Sequence, residues 1–167
     1  MVSIRHSGHC PQEASAKKTL VKETRARAEG GDGEAMWLLG KWYQGGVNGL
    51  AIDAVQSRAW LERSAAARNP AGLATFGCCL LQGIGGPQDN ALGLVSVTEA
   101  AGLGSEVGAF LLGQAFFGGL YGLSRDPARA RYWLKKAFDG ECTHKHLSDE
   151  VLANAARWLR ALESSGE

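Results

Sequence analysis

Hydrophobic residues recur along most of this chain at spacings of three and four, which is the signature of helices with one apolar face. Met36, Leu39 and Tyr43 follow this spacing, and the segment 73–80 repeats it. The pattern and its flanking signals predict eight helices, at residues 12–29, 33–45, 53–68, 71–82, 89–102, 106–117, 126–139 and 148–163. We therefore expect an all-α protein.

The apolar pattern belongs to a longer unit that occurs three times. Its anchor glycines, Gly40, Gly77 and Gly113, are 37 and then 36 residues apart. In each unit a first helix carries the glycine, a glycine-rich connection follows, and an acidic residue opens a second helix. Tandem helix pairs of this kind stack on one another. The three units lie at about 33–69, 70–104 and 105–140.

The acidic residues that open the second helices are Asp53, Asp89 and Asp126. Each carboxylate is suited to accept a hydrogen bond from the first turn, and Pro127 is favourable at the first helical position. A glycine inside a helix costs about 1 kcal/mol relative to alanine. The recurrence of the anchor glycines therefore predicts that the second helix crosses the first very closely at that point.

Flanking helices are predicted to complete the stack. Residues 12–29 have the pattern of the second helix of a degenerate preceding unit, and residues 1–11 are expected to be flexible. The helix at 148–163 begins with Ser148 as a candidate N-cap, followed by Asp149 and Glu150, whose charges favour a helix N-terminus. We expect one domain over residues 12–163, closed by this C-terminal capping helix.

These motifs resemble the Sel-1-like repeat family, which is related to the tetratricopeptide repeats. The first unit carries A-x-x-x-L-G-x-x-Y at 35–43 and D-x-x-x-x-x-x-W-L at 53–61, and the resemblance covers about residues 28–140. The second unit departs most from the family pattern, with Gly72 in place of alanine, Ser96 in place of tryptophan and Gly93 inside its second helix. The resemblance implies an α/α superhelix, a right-handed solenoid of about three helical hairpins with flanking helices.

The resemblance also implies a binding function, as an adaptor or scaffold for another protein or a peptide. In tetratricopeptide-like arrays the first helices line a concave groove. The positions three before, one after and four after each anchor glycine are then the candidate binding residues: Trp37, Lys41, Gln44, Ala74, Cys78, Leu81, Phe110, Gln114 and Phe117. Each large apolar side chain among them that leaves water on binding contributes about 1.5–3 kcal/mol. The alternative is that these side chains fill a tightly wound superhelix or pack on the end helices.

Charge and hydropathy exclude other kinds of partner. The 167 residues carry a formal net charge of +1, which provides neither a basic surface for nucleic acid nor a polybasic patch for a membrane. The uncharged run at 107–123 approaches the length of a membrane span, but Gly118, Gly119 and Gly122 interrupt it. We predict no nucleic-acid partner and no membrane insertion.

The four cysteines, Cys10, Cys78, Cys79 and Cys142, do not form a regular disulfide framework. The N-terminal segment also lacks the apolar stretch of a secretory signal. These features favour a reducing compartment, and we predict a cytoplasmic protein.

Two short segments combine histidine with cysteine. His6, His9 and Cys10 lie near one end of the chain, and Cys142, His144 and His146 lie near the other. Zinc favours these ligand types but needs three or four of them converging on one point. Because the segments are near opposite ends of an elongated array, we predict no metal site and no cofactor.

No motif predicts an enzyme. Ser15 and Lys18 match S-x-x-K, but the companion motifs of that chemistry are missing. The pair Cys78–Cys79 lies inside an apolar helix, where inert thiols are expected. We predict a non-catalytic adaptor or scaffold that binds through the concave groove. The alternative is an inhibitor or immunity-type protein that blocks a toxin or enzyme through an outer surface or an end of the array.

Overall fold

The computed structural model describes residues 11–139 and 142–164. Over these residues the chain forms eight α-helices: α1 Pro11–Glu29, α2 Gly33–Gly45, α3 Ala54–Ala66, α4 Pro70–Gln82, α5 Asn90–Gly102, α6 Glu106–Gly118, α7 Pro127–Phe138 and α8 Asp149–Ser164. The predicted helices are confirmed, with bounds that agree within two residues. Most of the segment predicted to be flexible, residues 1–10, lies outside the described residues.

Local hydrogen bonds explain where the helices begin and end. The carboxylates of Asp53, Asp89 and Asp126 each accept a backbone N–H from the first turn of the following helix at 2.9 Å, as predicted. The first helices of the three repeats end at glycines with a left-handed backbone: Gly46 (φ 64°), Gly83 (φ 68°) and Gly119 (φ 63°). Glycine takes this conformation without steric cost, which explains why every connection contains one.

Within each repeat the two helices are in very close contact at the anchor glycine. A Cβ atom on Gly40 would lie 2.6 Å from Leu61 Cγ, and one on Gly113 would lie 2.7 Å from Leu134 Cγ. On Gly77 a Cβ would lie 3.0 Å from the backbone oxygen of Gly93. The predicted close crossing is confirmed, because a larger residue would push the pair apart.

The helix pairs stack so that the first helices form one side of the array. Helix α2 packs on α4, and α4 packs on α6, whereas α3 and α5 pack mainly on the first helices that precede and follow them. The first helices are therefore closer together than the second helices. The array curves with α2, α4 and α6 on its concave side.

The last repeat is covered by α8. Its Leu159 and Leu162 pack with Ala130 and Leu134 of α7 in one buried cluster. The guanidinium of Arg131 donates to the backbone oxygen of Leu162 at 2.9 Å, which fixes the end of α8 against α7. In the described part of the chain, none of the helices is long and apolar enough to cross a membrane.

Candidate peptide-binding groove

The predicted groove residues are carried by α2, α4 and α6, on the concave side of the array. Lys41 is exposed. The half-buried members of the set are Trp37, Gln44, Cys78, Phe110, Gln114 and Phe117. Seven of the nine predicted positions thus retain access to solvent, and the two that do not, Ala74 and Leu81, belong to the second repeat.

The prediction for Leu81 was wrong. Its side chain is 2% exposed and packs with Val97 and Leu112 in the core. A Cβ atom on Gly93 would lie 2.8 Å from Leu81 Cγ, so Leu81 occupies the space that a side chain at position 93 would need. Ala74 is likewise fully buried, in a cluster with Leu73 and Ala100, and was also wrongly placed in the groove.

In the third repeat the predicted aromatic anchors contact the C-terminal helix. The ring of Trp158 on α8 stacks on Phe110 at 5.6 Å between centroids and on Phe117 at 5.5 Å, with interplanar angles of 15° and 18°. Offset stacking of this kind stabilises the contact beyond the apolar area that it buries. In the third repeat the aromatic residues therefore pack on an end helix, which is the alternative that the sequence left open. Helix α8 covers this end of the concave side.

The chain between α7 and α8 also crosses the concave side. We call residues 142–148 the strap. His144 pairs with the start of α6: its N–H donates to the oxygen of Gly104, and its oxygen accepts from the N–H of Glu106, both at 3.1 Å. Further along, the Glu106 carboxylate accepts the backbone N–H of His146 at 3.1 Å and that of Leu147 at 2.9 Å.

The strap extends to the first repeat. The imidazole of His146 lies against the indole of Trp37, with 4.8 Å between the ring centroids. The indole Nε1–H of Trp37 in turn donates to Thr75 Oγ1 of α4 at 3.1 Å. Trp37 is thereby held between α4 and the strap, and its ring forms part of a wall.

That wall belongs to a cavity of about 400 Å³, which we call the concave cavity. Four of the predicted groove residues line it: Trp37, Lys41, Gln44 and Cys78. The other lining residues are Thr75 of α4, Val107 of α6, and His146 and Leu147 of the strap. Lys41 Nζ donates to Gln44 Oε1 at 3.2 Å, so two polar side chains are held together along one wall. Apolar walls with a few placed polar groups are typical of ligand sites.

The thiols near this cavity are poor nucleophiles. Burial raises the pKa of Cys78, an effect that the nearby Lys41 ammonium partly opposes. Burial also raises the pKa of Cys79 to about 11. Both thiols stay protonated at neutral pH, and the thiolate is the reactive form. Ser15 and Lys18 of the S-x-x-K match are both exposed on α1, where nothing desolvates the lysine.

The candidate metal ligands fall in two groups. His6, His9 and Cys10 lie outside the described residues. Cys142 is buried and donates to the backbone oxygen of Lys136 at 3.4 Å. Within residues 11–139 and 142–164, no group of three or more His, Cys, Asp or Glu side chains is placed to hold a metal ion.

Sequence reasoning missed Glu106 and the strap. The sequence predicts only that Glu106 begins a helix, and it offers the strap only as a source of candidate metal ligands. Glu106 is 4% exposed, and its carboxylate accepts from backbone groups 40 and 41 residues farther along the chain. The amino-acid sequence does not show which backbone N–H groups make a long-range contact, so no local signal predicted the hydrogen bonds between the strap and Glu106.

Comparisons with known proteins agree with this architecture. The Sel1 repeat matches residues 33–69, 71–94 and 107–141. A Sel1 repeat protein from Oxalobacter formigenes superimposes with a TM-score of 0.64 at 24% identity, over 83% of this chain and 98% of that one. The protein c5321, a protective antigen of uropathogenic Escherichia coli with an SLR fold, gives 0.63 at 25% identity, over 86% of this chain.

This chain covers 33% of the c5321 structure. No curated protein matches the sequence. The middle repeat match is the shortest of the three, which agrees with the departures at Gly93 and Ser96. Since the matched repeats span more than half of the sequence, the chain belongs to the Sel1 repeat family.

Proposed function

We propose that this protein is a non-catalytic scaffold that binds a peptide or protein partner at the concave cavity. Sel1 repeat proteins are generally scaffolds for protein interactions. The observation that carries the proposal is the cavity itself, where the first helices of all three repeats and the strap place aromatic, apolar and polar groups around one space of about 400 Å³.

The chemistry of the cavity indicates how a partner is held. Trp37 and Val107 offer apolar surface, and a side chain that fills the space gains from leaving water. Lys41 is exposed beside Gln44 and supplies a positive charge that attracts a carboxylate or a backbone carbonyl of the partner. The raised pKa of Cys78 supports a binding role for the cavity rather than thiol chemistry.

The test is a comparison of two charge reversals. Lys41→Glu combined with Gln44→Ala changes the wall of the cavity, and Lys22→Glu makes the same charge reversal on an exposed position of α1. The parent and both variants are used to capture partners from an extract of the source cells, followed by mass spectrometry. We expect a partner that the parent and Lys22→Glu retain and that Lys41→Glu/Gln44→Ala loses, with unchanged helical circular dichroism.

Retention of the same partners by Lys41→Glu/Gln44→Ala would contradict the proposal, since the polar wall would then have no part in binding. An extract from which the parent captures nothing would also count against it.

The second candidate function is an inhibitor or immunity-type protein that binds a toxin or enzyme through the outer helices. It is favoured by apolar side chains on α3, α5 and α7 that face solvent: Val55 is 67% exposed, Val95 is 62% exposed and Tyr132 is 59% exposed. Such side chains are candidate anchors for a partner surface. Val95→Asp should then abolish partner capture, while Lys41→Glu/Gln44→Ala should leave it intact.

We also propose that the partner is a protein and not a nucleic acid, and that the site of action is the cytoplasm. The net charge of +1 supports the first point. The second is supported by Cys78 and Cys79, which are free thiols in the structure.

A further inference from the structure

We propose that the strap is an internal ligand, and that the partner is an extended peptide that replaces it along the start of α6. This inference rests on the proposed function and names the chemistry of the partner. Such a peptide presents two consecutive backbone N–H groups to Glu106 and a ring to Trp37, as residues 146 and 147 of the strap do.

The strap binds in a way that any extended peptide is able to copy. Its pairing with Gly104 and Glu106 uses only backbone groups of His144. The side chains of Thr143, His144 and Lys145 are exposed. Addition of an extended segment through main-chain hydrogen bonds is a general mode of peptide recognition, in which side-chain pockets supply the specificity. The concave cavity, which borders the strap, is such a pocket.

Glu106 makes the exchange dependent on a partner. Glu106 is 4% exposed, and its carboxylate accepts the N–H groups of both His146 and Leu147. A buried carboxylate without hydrogen-bond donors is strongly destabilised, so the strap does not leave at low cost by itself. A peptide that brings its own pair of N–H groups satisfies Glu106 again. Replacement of one donor pair by another avoids most of that cost.

Little apolar burial opposes the exchange. Cys142 is buried at the start of the strap, but His146 is exposed and Leu147 is only half-buried. The main advantage of the strap is that it is tethered, which corresponds to an effective concentration in the millimolar range for a short flexible link. A partner that makes the same backbone contacts and also packs apolar side chains against Trp37 and Val107 gains apolar burial that the strap does not have.

The experiment uses a peptide with the sequence of residues 142–148, acetylated and amidated at its ends, as the probe. The variant His146→Pro/Leu147→Pro removes the two N–H groups that Glu106 accepts, because proline has no amide hydrogen. Lys145→Pro is the matched control. It places a proline in the same exposed segment and leaves the hydrogen bonds of His144, His146 and Leu147 in place.

Binding of the peptide is followed by NMR, through the indole N–H of Trp37 and the amides of residues 104–106. We expect saturable shifts in His146→Pro/Leu147→Pro, and an apparent affinity at least about tenfold weaker in the parent and in Lys145→Pro, where the tethered strap competes. Equal binding to all three proteins, or shifts in none of them, overturns the proposal. So does loss of helical structure in the double variant, because the strap would then be a permanent part of the core.

A second measurement needs no ligand. By hydrogen–deuterium exchange of the parent, we expect the amides of His146 and Leu147 to exchange at least about tenfold faster than the buried amides of α4 and α6, since local opening is less costly than global unfolding. Equal protection of strap and core amides contradicts the inference. Neither measurement depends on an identified partner, so its outcome is separate from that of the Lys41→Glu/Gln44→Ala capture experiment.

Discussion

The first and third repeats place the same positions of a repeat in different surroundings. In the first repeat, Trp37 and Gln44 line the concave cavity beside the strap. In the third, Phe110 and Phe117 are stacked on Trp158 of α8. A residue on the concave side therefore lines the cavity or packs on an end helix, according to which segment of the chain lies next to it. Repeat position alone does not decide between these roles.

The largest effect that separates the two regions is expected for Trp158→Ala. The substitution removes both ring stacks and should lower the free energy of unfolding by about 3 kcal/mol, the usual loss for a truncated large aromatic. Urea denaturation measures it. Lys41→Ala at the exposed cavity wall is the control, with a change within about 0.5 kcal/mol. Equal effects of the two substitutions would show that the first repeat is as tightly covered as the third.

Glu106→Ala tests how firmly the strap is held. It removes the acceptor of the His146 and Leu147 amides, and we expect a loss of about 2 kcal/mol in the free energy of unfolding. Glu34→Ala is the control, because Glu34 is an acidic residue in the first turn of α2 and is exposed, and its carboxylate accepts an exposed side-chain hydrogen bond from Asn69 instead of buried backbone ones. Both substitutions lose a similar helix-dipole contribution. A difference of less than about 0.5 kcal/mol between them would mean that the strap contacts contribute little.

A smaller effect is expected where Trp37 joins the first and second repeats. Trp37→Phe removes the Nε1–H donor to Thr75 Oγ1, and Thr75→Val removes its acceptor. Each should cost about 1 kcal/mol, and the double variant should cost less than the sum, because both remove the same hydrogen bond. Additive losses in thermal or urea unfolding would show that the indole hydrogen bond does not stabilise the array.

The smallest expected effect is kinetic and distinguishes the cavity from the core. Cys78 lines the concave cavity and is half-buried, whereas Cys79 is 1% exposed with its pKa raised to about 11. At pH 8 both thiols are mainly protonated, so both should react more slowly than a free thiol, and Cys78 the faster of the two. Mass spectrometry after maleimide labelling gives the order. Faster labelling of Cys79 would contradict the placement of these side chains.

The sequence was informative wherever structure depends on neighbours a few residues away. The three- and four-residue spacing predicted the helices, and the recurring aspartates predicted three of the caps. Even the error at Leu81 had a visible signal, because Gly93 was recognised as a departure inside the second helix. Because Gly93 has no side chain, it leaves a space in the core that the Leu81 side chain fills. The burial of Leu81 follows from the packing of α4 on α5, and the local spacing of apolar residues does not predict it.

By itself, the sequence determined the repeat, the helices and the close crossings at the anchor glycines, because periodic apolar burial and backbone sterics are properties of short segments. Only the tertiary structure decided which part of the concave side stays accessible. Trp158 covers Phe110 and Phe117, and backbone N–H groups of the strap bind the buried Glu106. These contacts join segments that are 40 or more residues apart in the chain. Every residue except proline carries a backbone donor, and aromatic residues occur along most of the chain, so side-chain identity alone does not determine which of them meet. The position of the chain in space determines it.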